Sequence, residues 1–567
     1  MALREYQLTN FKAFAGPETI PIRPITLIYG PNSSGKSSIL QSLLLLKQTL
    51  EEADSSTSLL PTGKLVDLGD YREFVHRHDV SKKFSFKIFF TSDTEKVNPH
   101  WVRQLLQAID SPAVGLEIQF SCDDEETKSP DFSHIGIFID NRLSPVLSYR
   151  PFKLSDGRFP MFTRLDSTHD FWRAWWTHMK QYIEEELSNV DYVAYKEEPE
   201  YEPFENFRQD LKNYPFKKAI RALRKTNQIT PFAYQTFLPI ESQHLTSELV
   251  EKILSELFER NSGQLDLGET IQGESSTDSK PTGLSEKQTI EEYSPFAARL
   301  IYRSLYGQDL FESGLDVSPI TLSVCSAFRQ LVKDVVYLGP LRNYPERYYT
   351  FSGNLSDQVG KQGEQLPNLL YQYREKLLEQ INEELKSFGL SYEIKLSILR
   401  DEDRKHSNVF ALRIVDKETG VSASIRDVGF GVSQVLPIIV QSLLSQNKTL
   451  LIEQPEIHLH PALQAELGDL FIQSALGEQK NTFILETHSE HLLLRIMRRM
   501  RETLQGNLRE GLPPVRPEDV AVLYVERDGK QSIVREMPLN ERGELVKAWP
   551  GGFFEEGLRE VLPTYDH

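Results

Sequence analysis

Eight consecutive residues, Gly30-Pro31-Asn32-Ser33-Ser34-Gly35-Lys36-Ser37, fit the pattern G-x-x-x-x-G-K-[ST] at every fixed position. Glycines at both ends let backbone N–H groups close around phosphate oxygens, and a helix starting there adds its positive dipole end. Lys36 is spaced to reach the β- and γ-phosphates of a nucleotide, and the Ser37 hydroxyl to sit on Mg²⁺. Asn32, Ser33, Ser34 and Ser38 fill out the stretch that would wrap the phosphate chain. The apolar run Ile25–Tyr29 comes just before it and a second apolar run, 38–50, just after. Strand, glycine turn and helix in that order make half of a phosphate-binding α/β unit.

A second set of candidates lies more than four hundred residues further on. Leu450-Leu451-Ile452-Glu453-Gln454-Pro455-Glu456 reads as a strand that ends in carboxylates, with Glu453 suited to hold Mg²⁺ through water opposite Ser37. Ile457-His458-Leu459-His460-Pro461 follows, and Leu485-Glu486-Thr487-His488-Ser489 ends the next strand. Taken singly, these are also what two buried strands with polar caps would look like, and His458 and His460 could instead be metal ligands. Ahead of them stands a glycine–serine stretch, Asp427-Val428-Gly429-Phe430-Gly431-Val432-Ser433-Gln434.

The elements around these residues divide the chain into four parts. Residues 1–150 combine the phosphate loop with strands near 84–90, 114–120 and 135–140, whose alternation suits an antiparallel sheet with one solvated side. Residues 151–332 change character, with the aromatic run 171–176, acidic stretches such as 196–205 and an amphipathic helix over 245–260. Residues 261–292 are poor in large apolar side chains and predict a mobile loop, and no sustained heptads point to a coiled-coil arm. Residues 333–510 return to α/β order: strand Val335–Leu338, a helix over 369–388, strands near 392–399 and 409–415, a helix after Ser433, strand Thr449–Glu453, a helix over 462–475 and strand Thr482–Glu486. Residues 511–567 add a strand near 520–525 and Trp549-Pro550-Gly551-Gly552-Phe553-Phe554, a small α/β tail completing the head. The expected fold class is α/β, with a mixed sheet (antiparallel N-terminal lobe, parallel core) and a mostly helical insertion.

Hydrophobic residues at 39% of 567 provide for a substantial core. Two distant cysteines, Cys122 and Cys325, suit a reduced compartment, and no signal peptide or spanning run is evident, so a cytoplasmic protein with no membrane association is expected. A formal net charge of −18 argues against a surface generally coated for nucleic acid but leaves room for a local basic groove. Two basic stretches are candidates for one: Lys212, Lys217, Lys218, Arg221, Arg224 and Lys225, and Arg495, Arg498, Arg499 and Arg501. A solvated helix face accounts for either.

A Walker A loop, a glycine–serine signature, a Walker B strand, a D-loop-like segment and a switch histidine, in that order with a large insert, resemble the ABC-type ATPases of the RecF, SMC and OLD kind. Asn10-Phe11-Lys12-Ala13-Phe14 is similar to their N-terminal strand motif, and Leu459-His460-Pro461 to the OLD-like D-loop. The segment 337–342 and the tail 549–554 are similar to a bacterial subgroup whose C-terminal domain has no assigned function. The resemblance implies ATP and Mg²⁺ as cofactors and a head-to-tail homodimer, or a higher homo-oligomer, sandwiching two nucleotides. Gly431 and Ser433 of one protomer, with Gln434 beside them, would close on the γ-phosphate held by the other. His488 would sense that phosphate and Lys12 would contact the nucleotide. It further implies a switch in anti-phage defence or DNA maintenance acting on a separate effector such as a nuclease, or alternatively a clamp acting directly on DNA, or a scaffold that binds ATP without hydrolysing it. Where the family carries Asp-Glu at Walker B this chain has Glu453-Gln454, and an amide cannot accept a proton from the attacking water. Hydrolysis is therefore expected to be slow unless Glu456 or Glu453 serves as base. No Q-loop glutamine can be placed, with 66–71 at that position. The stretch after His488 is too short for the Toprim nuclease domain of OLD proteins.

Overall fold

The computed structural model describes residues 2–53, 57–91, 113–122, 130–139, 144–151, 160–165, 171–173, 176–177, 229–235, 238–242, 318–353, 356–400, 406–428 and 430–554. The expected helix over 245–260, the loop 261–292, the acidic stretch 196–205 and the basic stretch 212–225 lie outside the described residues. The chain forms two compact units, one from Met1–Thr91, Ile118–Phe132 and Phe328–His567, the other from Ser92–Glu117 and Ser133–Ala327.

The first unit opens with strands β1 (Ala2–Thr9), β2 (Glu18–Pro21) and β3 (Ile25–Tyr29), and β4 (Phe84–Thr91) follows. β1 lies between β2 and β4, antiparallel to both. Beneath it Phe11, Phe74, Phe84, Phe86 and Phe120 pack edge-on, tilted or stacked, a cluster that fixes the segment carrying Lys12.

Strands β5 (Ala113–Ser121) and β6 (Asp131–Ile139) lead into the second unit. There β7 (Leu147–Pro151), β8 (Pro160–Leu165), β9 (Ile229–Gln235) and β10 (Leu238–Ser242) continue from β6 as successive antiparallel neighbours. The described part of the insertion contributes these strands together with the helix Ser318–Lys333. From the aromatic run, Phe171, Trp172 and Trp176 are buried, as core residues.

The rest of the first unit carries β11 (Val335–Leu338), β12 (Tyr349–Thr350), β13 (Tyr392–Arg400), β14 (His406–Asp416), β15 (Ser422–Ser424), β16 (Thr449–Glu453), β17 (Thr482–Glu486), β18 (Val520–Asp528) and β19 (Gln531–Glu536). Six of the unit's strands form the core sheet in the order β11-β16-β17-β3-β18-β19, parallel except for the β18–β19 pair. β3, β11 and β16 are buried along their whole length, which is why they read as predominantly apolar runs. β12, β13, β14 and β15 form a separate antiparallel sheet. The helix Lys36–Glu52 is buried on nearly every side, and Pro461–Leu476 and Glu490–Gln505 pack on each other. The helix expected over 369–388 is two, Leu366–Gln372 and Arg374–Ser387, because Tyr373 leaves helical geometry at φ −105 and ψ 20.

Candidate functional site

Parallel strands of an open sheet deliver their loops to one edge, and the crevice beyond their carboxyl ends is where such sheets bind ligands. Here β3 ends at the Gly30 loop, β16 at Glu453 and Gln454, and β17 at Glu486, Thr487 and His488. Register aligns Glu453 with Glu486, and Glu486 with Ile28. Sequence separation of over four hundred residues thus collapses to neighbouring strand ends. The resulting cavity is lined by Lys12, Ala13, Asn32, Ser33, Gly35, Lys36, Ser37, Ser38, Gln454, Glu486 and His488.

The loop's conformation depends on its glycines. Gly30 has φ +146, and a Cβ there would lie 2.2 Å from the Val525 carbonyl oxygen of β18. Gly35 has φ +103 and caps the helix Lys36–Glu52, with Ala13 close against it. Lys36 is buried and donates to the Gly30 and Pro31 carbonyls at 2.9 Å each. Burial lowers its pKa, against the opposing pull of Glu486 and Glu456. Lys12 has φ 46 and donates to Gln41 at 2.6 Å. Its backbone is fixed by Phe74, which accepts from its N–H, and by a 2.8 Å bond between its carbonyl and His76 Nδ1. That contact draws His76 into the packing around Lys12, and among the described residues no group of three His, Cys, Asp or Glu is placed to hold a metal.

Three carboxylates approach the loop, and each has a different partner. Glu453 accepts the Tyr337 hydroxyl at 2.8 Å. Glu456 accepts the Thr487 hydroxyl at 2.8 Å and the His488 N–H at 2.6 Å, so it holds the turn that presents the histidine. Glu486 accepts the Ser37 hydroxyl at 2.9 Å, while its second oxygen is buried without a hydrogen-bond partner. Burial raises the pKa of all three, and for Glu486 the charge of Glu453 beside it adds to the effect, pushing it up to about 7. Burial, with Lys36 nearby, lowers that of His488, which favours the neutral imidazole. Gln454 adopts φ 45, its N–H donating to the Glu486 carbonyl at 2.7 Å. Arg342 donates to the carbonyls of Glu453 at 3.1 Å and Gln454 at 3.4 Å, and burial lowers its pKa to about 10. A left-handed non-glycine residue held this way at a cavity wall stores strain of about 1–3 kcal/mol where ligand chemistry would occur.

The donors suit Mg²⁺, which takes one or two protein oxygens and completes its shell with phosphates and water. Ser37 and the spare Glu486 oxygen supply such a pair beside the loop. Glu453 stands alongside, turned to Tyr337. Spacing alone singles out neither Glu486 nor Tyr337 nor Arg342. The signal available for Glu486 is that two five-residue strands, Thr449–Glu453 and Thr482–Glu486, both begin with Thr and end with Glu.

The signature residues lie elsewhere. Ser433 lines a second cavity together with Asn343, Tyr344, Glu346, Gln362 and Pro437, and it is absent from the lining of the first. Gln434 is buried, and a Cβ on Gly431 would meet the His458 carbonyl at 3.2 Å, next to the D-loop-like segment. His458 has φ 62, and His460 caps the helix Pro461–Leu476 by accepting from Ala462. The arginines of the second basic stretch are largely committed to carboxylates: Arg495 to Glu466 and Asp469, Arg498 to Glu502, and Arg499 to Asp469 and Glu502.

A phosphate loop, carboxylate-ended strands and a histidine at the next strand end define a P-loop ATPase. Residues 1–493 match the AAA ATPase domain family, to which the chain therefore belongs. Residues 515–562 match DUF3696, a family described as a protein of unknown function. No curated protein matches. Among solved structures, the SMC head domain from Thermotoga maritima is similar at 8% identity, covering 95% of this chain and 100% of that chain with a TM-score of 0.34. The Smc head domain with an extended coiled coil bound to the C-terminal domain of ScpA, derived from Pyrococcus furiosus, is similar at 11% identity over 99% and 98% of the two chains, with a TM-score of 0.33. No helix among the described residues is long and apolar enough to cross a membrane.

Proposed function

We propose that this ATPase is an association switch: two copies join head to tail around two ATP molecules and separate after slow hydrolysis. The observation that supports it is the division of the motifs between two cavities, with Lys36 and Ser37 in one and Ser433 in the other. A γ-phosphate held by one chain's loop and closed by the other's signature turns binding into association and hydrolysis into release. In each half, the loop amides and Lys36 bind the phosphates, with Lys12 at the cavity wall and neutral His488 facing the γ-phosphate. Ser37 and a strand-end carboxylate would hold Mg²⁺, which would supply charge neutralisation for the phosphates. Gln454 can orient water but cannot take its proton, which costs about 10²–10⁴ in rate relative to a carboxylate base. This favours a long-lived closed state, suited to controlling a separate effector such as a nuclease in bacterial defence or DNA maintenance, a role inferred from the resemblance to RecF, SMC and OLD ATPases.

Light scattering with ATP and Mg²⁺ tests the switch. The wild type is expected to associate, Lys36→Ala to remain a monomer for want of nucleotide, and Ser433→Arg to bind ATP yet remain a monomer. Association of Ser433→Arg to the wild-type extent would remove the composite site. Co-purification from the native host with ATP present identifies the effector.

A further inference from the structure

Of the three carboxylates at the strand ends, one lines the phosphate-loop cavity. Glu453 is bonded to Tyr337, and Glu456 uses both oxygens on Thr487 and His488. Glu486 takes the hydroxyl of Ser37, the side chain placed to meet the cation, and keeps a buried second oxygen without a partner. A buried, unpartnered carboxylate oxygen costs free energy unless something cationic comes to it. Lys36, the nearest cation in the loop, is occupied by the Gly30 and Pro31 carbonyls.

We propose that Glu486, from the strand after Walker B, is the carboxylate that holds the divalent cation with Ser37, and that Glu453, engaged by Tyr337, stays off it. The inference rests on the reading of this cavity as a Mg²⁺–ATP site, not on dimerisation. It also accounts for a longer Glu453 at the position where the family has aspartate. A glutamate in that place reaches Tyr337 on β11, leaving the place beside Ser37 to the in-register neighbour on β17. The division of labour puts the cation's ligand and the switch histidine two residues apart on one turn, so loss of the cation's contacts is felt at His488.

The test uses Mn²⁺ as the probe, read by the electron paramagnetic resonance of the free ion, with a non-hydrolysable ATP analogue and the full chain. Glu486→Gln is expected to weaken Mn²⁺ binding at least tenfold, and Glu453→Gln less than threefold. In EDTA, Glu486→Gln should bind the analogue as tightly as the wild type or more tightly, since a negative charge has left the phosphate site. Ser37→Ala and Glu486→Gln should be non-additive in Mn²⁺ affinity, as two ligands of one ion. A larger loss in Glu453→Gln than in Glu486→Gln, or fully additive losses, would overturn the assignment. If the wild type fails to bind the analogue, or Lys36→Ala binds it normally, the nucleotide site itself is misplaced, a separate and distinguishable failure. Glutamine still accepts the Ser37 hydroxyl, so the variant keeps the local fold, which unchanged thermal melting verifies.

Discussion

At the strand ends, negative charge is crowded where water is scarce, and this sets how the protein without ligands responds to pH. Glu486 is pushed from 4.5 to about 7, first by burial and then by Glu453. A carboxyl whose folded pKa lies above its unfolded value stabilises the fold below the unfolded value and loses that contribution as pH rises through the folded one. The nucleotide-free protein should therefore lose stability between about pH 4.5 and 7. Glu486→Gln should remove this slope, raising the urea midpoint relative to the wild type at pH 8 but not at pH 5. Parallel midpoint curves for the two proteins across that range would refute it. The neighbouring Gln454 makes a second test. It lines the cavity and Glu456 does not, so Gln454→Glu should raise the single-turnover hydrolysis rate by about tenfold or more, a carboxylate now being able to take the water's proton. Glu456→Gln should slow the reaction by loosening the turn that holds His488. A slower Gln454→Glu enzyme beside an inactive Glu456→Gln enzyme would instead make Glu456 the base.

Between elements, the helices Pro461–Leu476 and Glu490–Gln505 are joined by charge rather than by an apolar seam alone. Asp469 is buried and accepts from both Arg495 and Arg499 at 2.6–2.7 Å. Removing one member of a buried pair strands the other charge, a loss of about 3–5 kcal/mol. Asp469→Ala should show a loss of that size in urea unfolding, with Asp469→Asn losing less. A change under about 1 kcal/mol would mean that water or another acid already serves the arginines. The same helices mark what local sequence can tell. Arg495, Arg498 and Arg499 look like a basic face in one dimension because their acids include residues on another helix. Gln48 is similar: buried on the helix Lys36–Glu52, it accepts from the Leu65 and Val66 N–H groups and donates to the Leu60 and Val66 carbonyls. Nothing in its spacing announces that. Strands β3, β16 and β17 were legible because near-complete burial writes a mostly apolar run before each loop. The phosphate loop was legible because only certain residue types allow its backbone. The Ser37–Glu486 bond was not, since it depends on register between strands that sequence leaves unpaired.

Across the whole first unit, the chain's last described strands belong to the ATPase core. β18 pairs in parallel with β3, from Val520 opposite Ile25 to Tyr524 opposite Tyr29, so the DUF3696 segment fills the position beside the phosphate-loop strand. Beyond β19, Trp549 and Phe554 pack edge-on against Tyr29, and Trp549 and Phe553 against Tyr524. The Tyr29 hydroxyl donates to the Ser489 carbonyl at 3.0 Å, and the Ser489 side chain caps the helix that follows His488. The aromatic tail thus braces the sheet from residues that touch no cavity-lining side chain in these contacts. Trp549→Ala should cost about 2–3 kcal/mol, below the range for a fully buried tryptophan because this one is half-buried. The glycine loop keeps its own determinants, Gly30, Gly35 and the Lys36 bonds to the Gly30 and Pro31 carbonyls. The variant should therefore melt at a lower temperature yet gain as many degrees as the wild type when ATP and Mg²⁺ are added, since that gain depends on affinity and ligand concentration. Thermal melts with and without nucleotide separate the two roles: an unchanged melting temperature with the ATP gain abolished would make the tail part of the nucleotide site.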